Sequence, residues 1–184
     1  MALAKGSTLR ATMEFVRADK GAEALERVLA RLPRDRRAQV ERSAPTDEVP
    51  FDLALDLWRA ADGELGVADP AWMERAGAQS IESSGVQHYG GILRKANPTE
   101  FLTQGVSLFR LYYSPGNMEV VEAEPGRAVL RLVGFDAADP LFCRRQTGGL
   151  RRALGLAGGA SPTARHVRCA AEGDAFCEWE LTWK

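Results

Sequence analysis

Side chains that carry chemistry are scarce in this sequence. It has two histidines and three cysteines, and neither charge is in surplus, with 24 Lys and Arg against 25 Asp and Glu. A net charge of −1 gives no general attraction toward nucleic acid or an anionic membrane surface. No apolar run reaches the roughly 20 residues that a membrane-spanning helix needs. The first residues, Met1-Ala2-Leu3-Ala4-Lys5-Gly6, lack the apolar stretch of a secretory signal, so a cytoplasmic protein is expected. The glycine pairs at 90–91, 148–149 and 158–159 have no phosphate-loop Lys and Ser/Thr beside them. They read as helix ends or points of close packing. No acid–base pair or activated nucleophile is recognisable, so an enzyme is not expected.

What is present is an ordinary globular mix, 45% hydrophobic and 27% charged, in 184 residues. That length predicts one domain with a real core. The first two thirds (1–115) have helical periodicity. The expected helices are Ser7–Lys20 capped by Ser7, Ala22–Leu32 stopped by Pro33, a short polar one to Arg42, and Phe51–Leu65. Another starts at Asp69-Pro70 and extends to about Lys95, and the last runs from Asn97-Pro98 to Tyr113. Gly21 marks the end of the first helix, and Ser43–Pro50 reads as a loop. After Gly116 the period changes. Strands at Met118–Ala123 and Ala128–Phe135, a helix from Asp139-Pro140 to about Leu156, and a second hairpin at 163–184 give a β-β-α-β-β tail over 116–184. The fold class expected is α+β, with helices packed on an antiparallel sheet.

All three cysteines and one histidine fall in this tail: Cys143, His166, Cys169 and Cys177. Three thiols and one imidazole are enough to fill a tetrahedral zinc shell. A hairpin centred on Gly173 puts Cys169 opposite Cys177, and Cys143 sits in the first turn of the tail helix, where the helix dipole favours a thiolate. His166 is three residues from Cys169, so regular strand alternation sends the two to opposite faces. A shared site needs a bulge there, or a strand that begins after His166. Buried cysteine is also a small hydrophobe. On the residues alone, the cluster reads either as a metal site or as three core thiols.

The tail, with Cys-x7-Cys across its last hairpin, resembles the vinyl-reductase-type ligand-binding domain. That superfamily is similar to haem–nitric oxide binding domains and to the TRAPP subunits of Golgi transport. It includes the phenol-sensing domains of bacterial enhancer-binding activators. The resemblance implies zinc on Cys143, Cys169 and Cys177, with His166 standing where those sensors have an acidic ligand. Four protein ligands leave no open position, so such a zinc would be structural. Over nearly the whole chain, Leu25–Pro33, Gly149–Leu154 and the Trp183 ending look like an expanded myxobacterial family.

The haem-binding relatives use a helix histidine and a Tyr-x-Ser-x-Arg motif. Here His88 precedes Tyr112-Tyr113-Ser114-Pro115-Gly116, in which Gly116 replaces the arginine that would meet the propionates. Haem is therefore not an expected cofactor. In the phenol sensors the pocket lies among the aromatic residues of this region. The resemblance thus nominates Trp58, Trp72, His88, Phe101, Phe109, Tyr112 and Tyr113 as lining residues, although an aromatic stripe at helical spacing can equally be plain core. The function implied is a non-enzymatic sensor or binding module for a small apolar or aromatic ligand, acting through a protein partner or a homodimer. The alternative is a TRAPP-like scaffold with no ligand. An apolar pocket above about 300 Å³ would favour the first. A solid core with a large exposed apolar patch would favour the second.

Overall fold

The computed structural model describes residues 1–85, 97–105 and 108–184, without the side chains at 84, 85, 104, 105 and 108. His88 lies outside the described residues. Four helices build the first half: α1 (Gly6–Lys20), α2 (Ala22–Ala30), α3 (Arg34–Arg42) and α4 (Phe51–Leu65). Gly21 separates α1 from α2 at φ 90°, a left-handed geometry that glycine adopts without penalty. Helix α1 starts at Gly6, so Ser7 lies inside the first turn and is not its cap.

Three very short strands were invisible to periodicity. β1 (Leu3–Lys5) pairs antiparallel with β2 (Glu48–Pro50) and with β3 (Tyr113–Ser114). Segments of two or three residues are too short to show a repeat of two. Pairing with a distant strand makes them extended, which is why the expected loop at Ser43–Pro50 ends in a strand.

The helix expected from Asp69-Pro70 begins instead at Trp72, as α5 (Trp72–Ser80) with Ala71 and not Asp69 at its N-cap, and is followed by a π-helical turn at Ile81–Gly85. Its expected end near 95 lies outside the described residues. The one expected from Asn97 is α6 (Pro98–Gly105), with Asn97 Oδ1 accepting from Glu100 N–H at 2.8 Å as a cap, and then α7 (Leu108–Tyr112).

The tail follows the expected order: β4 (Asn117–Glu124), β5 (Arg127–Val133), α8 (Pro140–Leu156), β6 (Thr163–Arg168) and β7 (Cys177–Thr182). The sheet order is β4-β5-β7-β6, antiparallel throughout. The alternating strand Cys177-Glu178-Trp179-Glu180-Leu181 buries Cys177, Trp179 and Leu181, and the first two reach Cys143 and Thr147 of α8. Asp139 caps α8 by accepting from Leu141 N–H at 2.9 Å.

Helices α5 and α8 cross with their backbones nearly touching. A Cβ built on Gly77 would meet the Arg145 carbonyl oxygen, and one on Gly148 the Glu74 carbonyl oxygen, at 2.1 and 1.9 Å respectively. The glycine pair at 148–149 is therefore close packing.

Arg75 ties three elements together. It donates to Asp19 at 2.8 and 3.1 Å, reaches Asp69, and lies over the Phe15 ring at 5.4 Å. The Arg75 hydrogen bond holds the Asp19 carboxyl below its ordinary value of 3.8. A depressed carboxylate stabilises the fold above its unfolded pKa, and the contribution is lost as pH falls through the lower folded value. Arg75→Met should cost about 1 kcal/mol at pH 7, given the exposure of the pair. In urea unfolding at pH 7 and pH 2, the gap between the two proteins should narrow at the acid end. An unchanged gap would mean that the guanidinium acts by packing alone.

Candidate metal centre and apolar chamber

Two places in the described structure concentrate chemistry, and α8 belongs to both. The first is at its N-terminal end. One ligand atom from each of Cys143, His166, Cys169 and Cys177 lies within 4.8 Å of all the others. The Cys143 and Cys177 Sγ atoms are 3.7 Å apart. Two thiolates on a tetrahedral zinc, each at about 2.3 Å, are separated by about 3.8 Å.

The local structure explains how four positions on three segments meet. Cys143 is in the first turn of α8, its N–H bonded to Asp139 O at 2.9 Å. Cys177 opens β7. Cys169 follows the last residue of β6 and precedes the 3-10 turn Ala170–Glu172, and Asp174 Oδ2 accepts its N–H at 2.7 Å. His166 joins them through a register shift. It pairs with Trp179, and the next pair is Arg168 with Glu178, so Val167 is the extra residue of a bulge. The bulge breaks the alternation that would send His166 to the other face. The imidazole stacks on Trp179 at 4.6 Å, and its buried Nε2 has no hydrogen-bond partner among the described residues.

Without a metal the thiols are electrostatically unequal. Cys177 is pulled below the ordinary thiol value, first by the Cys143 S–H, then by the nearby His166 and by the Ala170 N–H at 3.3 Å. Cys143 is pushed up by the same pairing and by burial, and Cys169 is pushed up chiefly by burial. A poised thiolate with amide support suits a metal ligand. Behind the cluster, Trp179 Nε1 donates to Thr147 Oγ1 at 2.9 Å, and that hydroxyl donates to Cys143 O at 2.9 Å. A surface cleft of about 340 Å³ reaches Cys143, His166 and Cys169 and gives an ion a way in.

The second place is an apolar chamber of about 80 Å³ on another face of α8. Its walls are Ile81, Phe101 and Leu102, the aromatics Phe109, Tyr112 and Tyr113, and Met118 and Leu130 from the sheet. Gln146, Gly149, Leu150 and Ala153 form the α8 side. Four of the seven residues nominated from sequence, Phe101, Phe109, Tyr112 and Tyr113, thus come together here. Trp58 and Trp72 do not. Both are wholly buried in the helical half, where their indole N–H groups donate to Thr12 Oγ1 at 3.0 Å and Asp62 Oδ1 at 2.7 Å. Sequence reasoning missed the α8 wall, because Gln146, Gly149 and Ala153 carry no aromatic signal.

No protein-family model matches the sequence, and no curated protein sequence matches it. Solved structures do. The architecture is that of H-NOX domains. The Fe(II) unliganded H-NOX protein from K. algicida superposes with a TM-score of 0.73 at 12% identity, over 98% of this chain and 96% of that one. The S. oneidensis H-NOX protein in its Fe(II)NO state gives 0.73 at 14%, over 98% and 99%. A structure solved to probe haem distortion in the H-NOX family gives 0.72 at 11%, over 98% and 95%. At these identities the likeness establishes the α+β fold alone. It also overturns the expectation that haem is an improbable cofactor, which rested on Gly116 standing in place of one arginine.

Proposed function

We propose that this chain is a non-enzymatic small-molecule binding module of H-NOX fold. Its ligand occupies the apolar chamber, and occupancy is passed to a protein partner. The observation that carries the reading is the chamber itself. It lies where helices, sheet and α8 converge, with almost wholly apolar walls, in a fold whose solved neighbours hold haem and nitric oxide. At 80 Å³ it falls short of the roughly 300 Å³ that would favour a ligand pocket, so it suits a group of only a few heavy atoms. The scaffold alternative has less support. Exposed large hydrophobics among the described residues are Met1, Val67 and Val121, on three different segments, which makes no docking patch. No helix among the described residues is long and apolar enough to cross a membrane.

The chamber matches haem in the chemistry of its walls but, at about 80 Å³, not in volume. Its aromatic and aliphatic walls suit the macrocycle face, and the buried Arg145 guanidinium, with Nη1 unpartnered, lies beside it in α8. Haem, when bound, supplies an iron that takes up a diatomic gas. The residues of this chain would exclude water from that group and orient it. A porphyrin needs the walls to part from their positions here.

The Cys143–His166–Cys169–Cys177 set has a separate role in this reading. As a closed zinc site it clamps the start of α8 to the last hairpin, as the resemblance to the phenol sensors implies, and so holds one wall of the chamber.

The test is titration of the purified protein with haemin and with 1-butanol as a small apolar probe, against Leu150→Trp, which fills the chamber. We expect a shifted Soret band or protection by butanol in the parent protein, weakened at least 10-fold in the variant. If Leu150→Trp folds and binds both probes as the parent does, the chamber is not the site.

A further inference from the structure

Arg145 is only 4% exposed, yet no carboxylate among the described residues pairs with it and its Nη1 has no hydrogen-bond partner. Arginine is almost never so buried without a partner. The sequence closes the obvious escape. The stretches 86–96 and 106–107 contain no Asp or Glu, and neither do positions 84, 85, 104, 105 and 108. No acidic side chain of this chain is left to supply the missing charge.

The guanidinium lies over the Trp58 ring at 5.5 Å, a cation–π contact that leaves the Nη1 donors without an acceptor. It also lines a small cavity of about 40 Å³. That cavity shares Ile81, Tyr112, Tyr113, Gln146 and Gly149 with the apolar chamber. Thr8 and Ser80 add hydroxyls to its wall. The arrangement is apolar in the chamber and carries a cation and two hydroxyl residues in the adjoining cavity.

We infer that Arg145 is the anion-binding group of the chamber, and that its ligand is a short apolar chain ending in a carboxylate. The inference rests on the chamber being a ligand site. Such a carboxylate has two sources of the same chemistry: a free short-chain acid, or the propionate arm of a haem. The planar guanidinium would meet either one bidentately.

The test compares butyrate, 1-butanol and haemin on the parent protein, Arg145→Gln and Arg145→Lys. NMR of the Arg145 Nε–H and of the Leu130 and Leu150 methyls gives a readout in the unmutated protein. Butyrate should move both the Arg145 and the methyl signals, and butanol the methyls only. Arg145→Gln should bind butyrate at least 10-fold more weakly while binding butanol as before, with Arg145→Lys in between. If haemin, and not butyrate, shows the Arg145 dependence, the carboxylate is that of haem. Butanol moving the methyls while neither butyrate nor haemin depends on Arg145 overturns the inference and leaves the chamber standing. If none of the three probes moves the methyls or Arg145, the chamber and the inference fall together.

Discussion

Chelating the metal from protein purified without added zinc should lower the melting temperature by about 8–16 °C. Close to one zinc per chain is expected before treatment. The magnitude follows from linkage. A ligand present at about 1,000 times its dissociation constant stabilises by about 4 kcal/mol, and in a chain of this size each kcal/mol moves the midpoint by about 2–4 °C. Cys169→Ser should reproduce most of the loss, since the serine hydroxyl is a poor zinc ligand. His166→Asn should lose at least as much, because the imidazole also contributes its stack on Trp179. The physical argument is the geometry of four donors within 4.8 Å, one sulfur pair at zinc-like separation, and an imidazole Nε2 with no protein partner. Metal content below about 0.1 per chain, with Cys169→Ser melting like the parent, would return the cluster to three buried core thiols. The consequence for function is mechanical. Loss of the clamp frees the start of α8, so ligand binding in the chamber should weaken together with stability.

The second large effect is expected from one methyl group. Gly148→Ala should destabilise by roughly 3–5 kcal/mol, because its Cβ would sit 1.9 Å from the Glu74 carbonyl oxygen and the two helices must part. Gly155→Ala, seven residues further along the same helix, should stabilise by about 0.5–1 kcal/mol. There the added Cβ meets only Pro162 Cγ at 3.5 Å, an ordinary contact, and glycine's extra unfolded-state freedom is removed. Thermal melts of the two variants should therefore move in opposite directions. If Gly148→Ala melts within 2–3 °C of the parent, the α5–α8 contact is looser than described. Because Arg145, Gln146 and Gly149 flank this crossing, Gly148→Ala should also lower affinity for any chamber ligand.

Much of the architecture was legible beforehand, for local reasons. The apolar repeat of Phe51–Leu65 specifies a helix of those bounds, and the observed helix matches it. Asp139-Pro140 and Asn97-Pro98 are starts that work through their own side chains. The last strand declares its buried face by strict alternation. The β-β-α-β-β order follows from the same signals. The strands β1, β2 and β3 were not legible, since their extended form comes from partners 43 or more residues away, as Lys5 facing Glu48 illustrates.

The two candidate sites divide in the same way. The sequence by itself determined that three thiols and an imidazole lie in the tail, since that is a matter of position along the chain. It also determined that no acidic residue is available in the stretches around position 90. Only the tertiary structure decided the rest. The bulge at Val167 turns His166 toward the thiols. The α5–α8 crossing makes Gly77 and Gly148 indispensable, while Gly155, away from it, stays replaceable. The close packing of α8 buries Arg145 without a counter-charge. These depend on which backbone lies against which, and that is set by the sum of contacts between distant segments and not by any residue's neighbours in the chain.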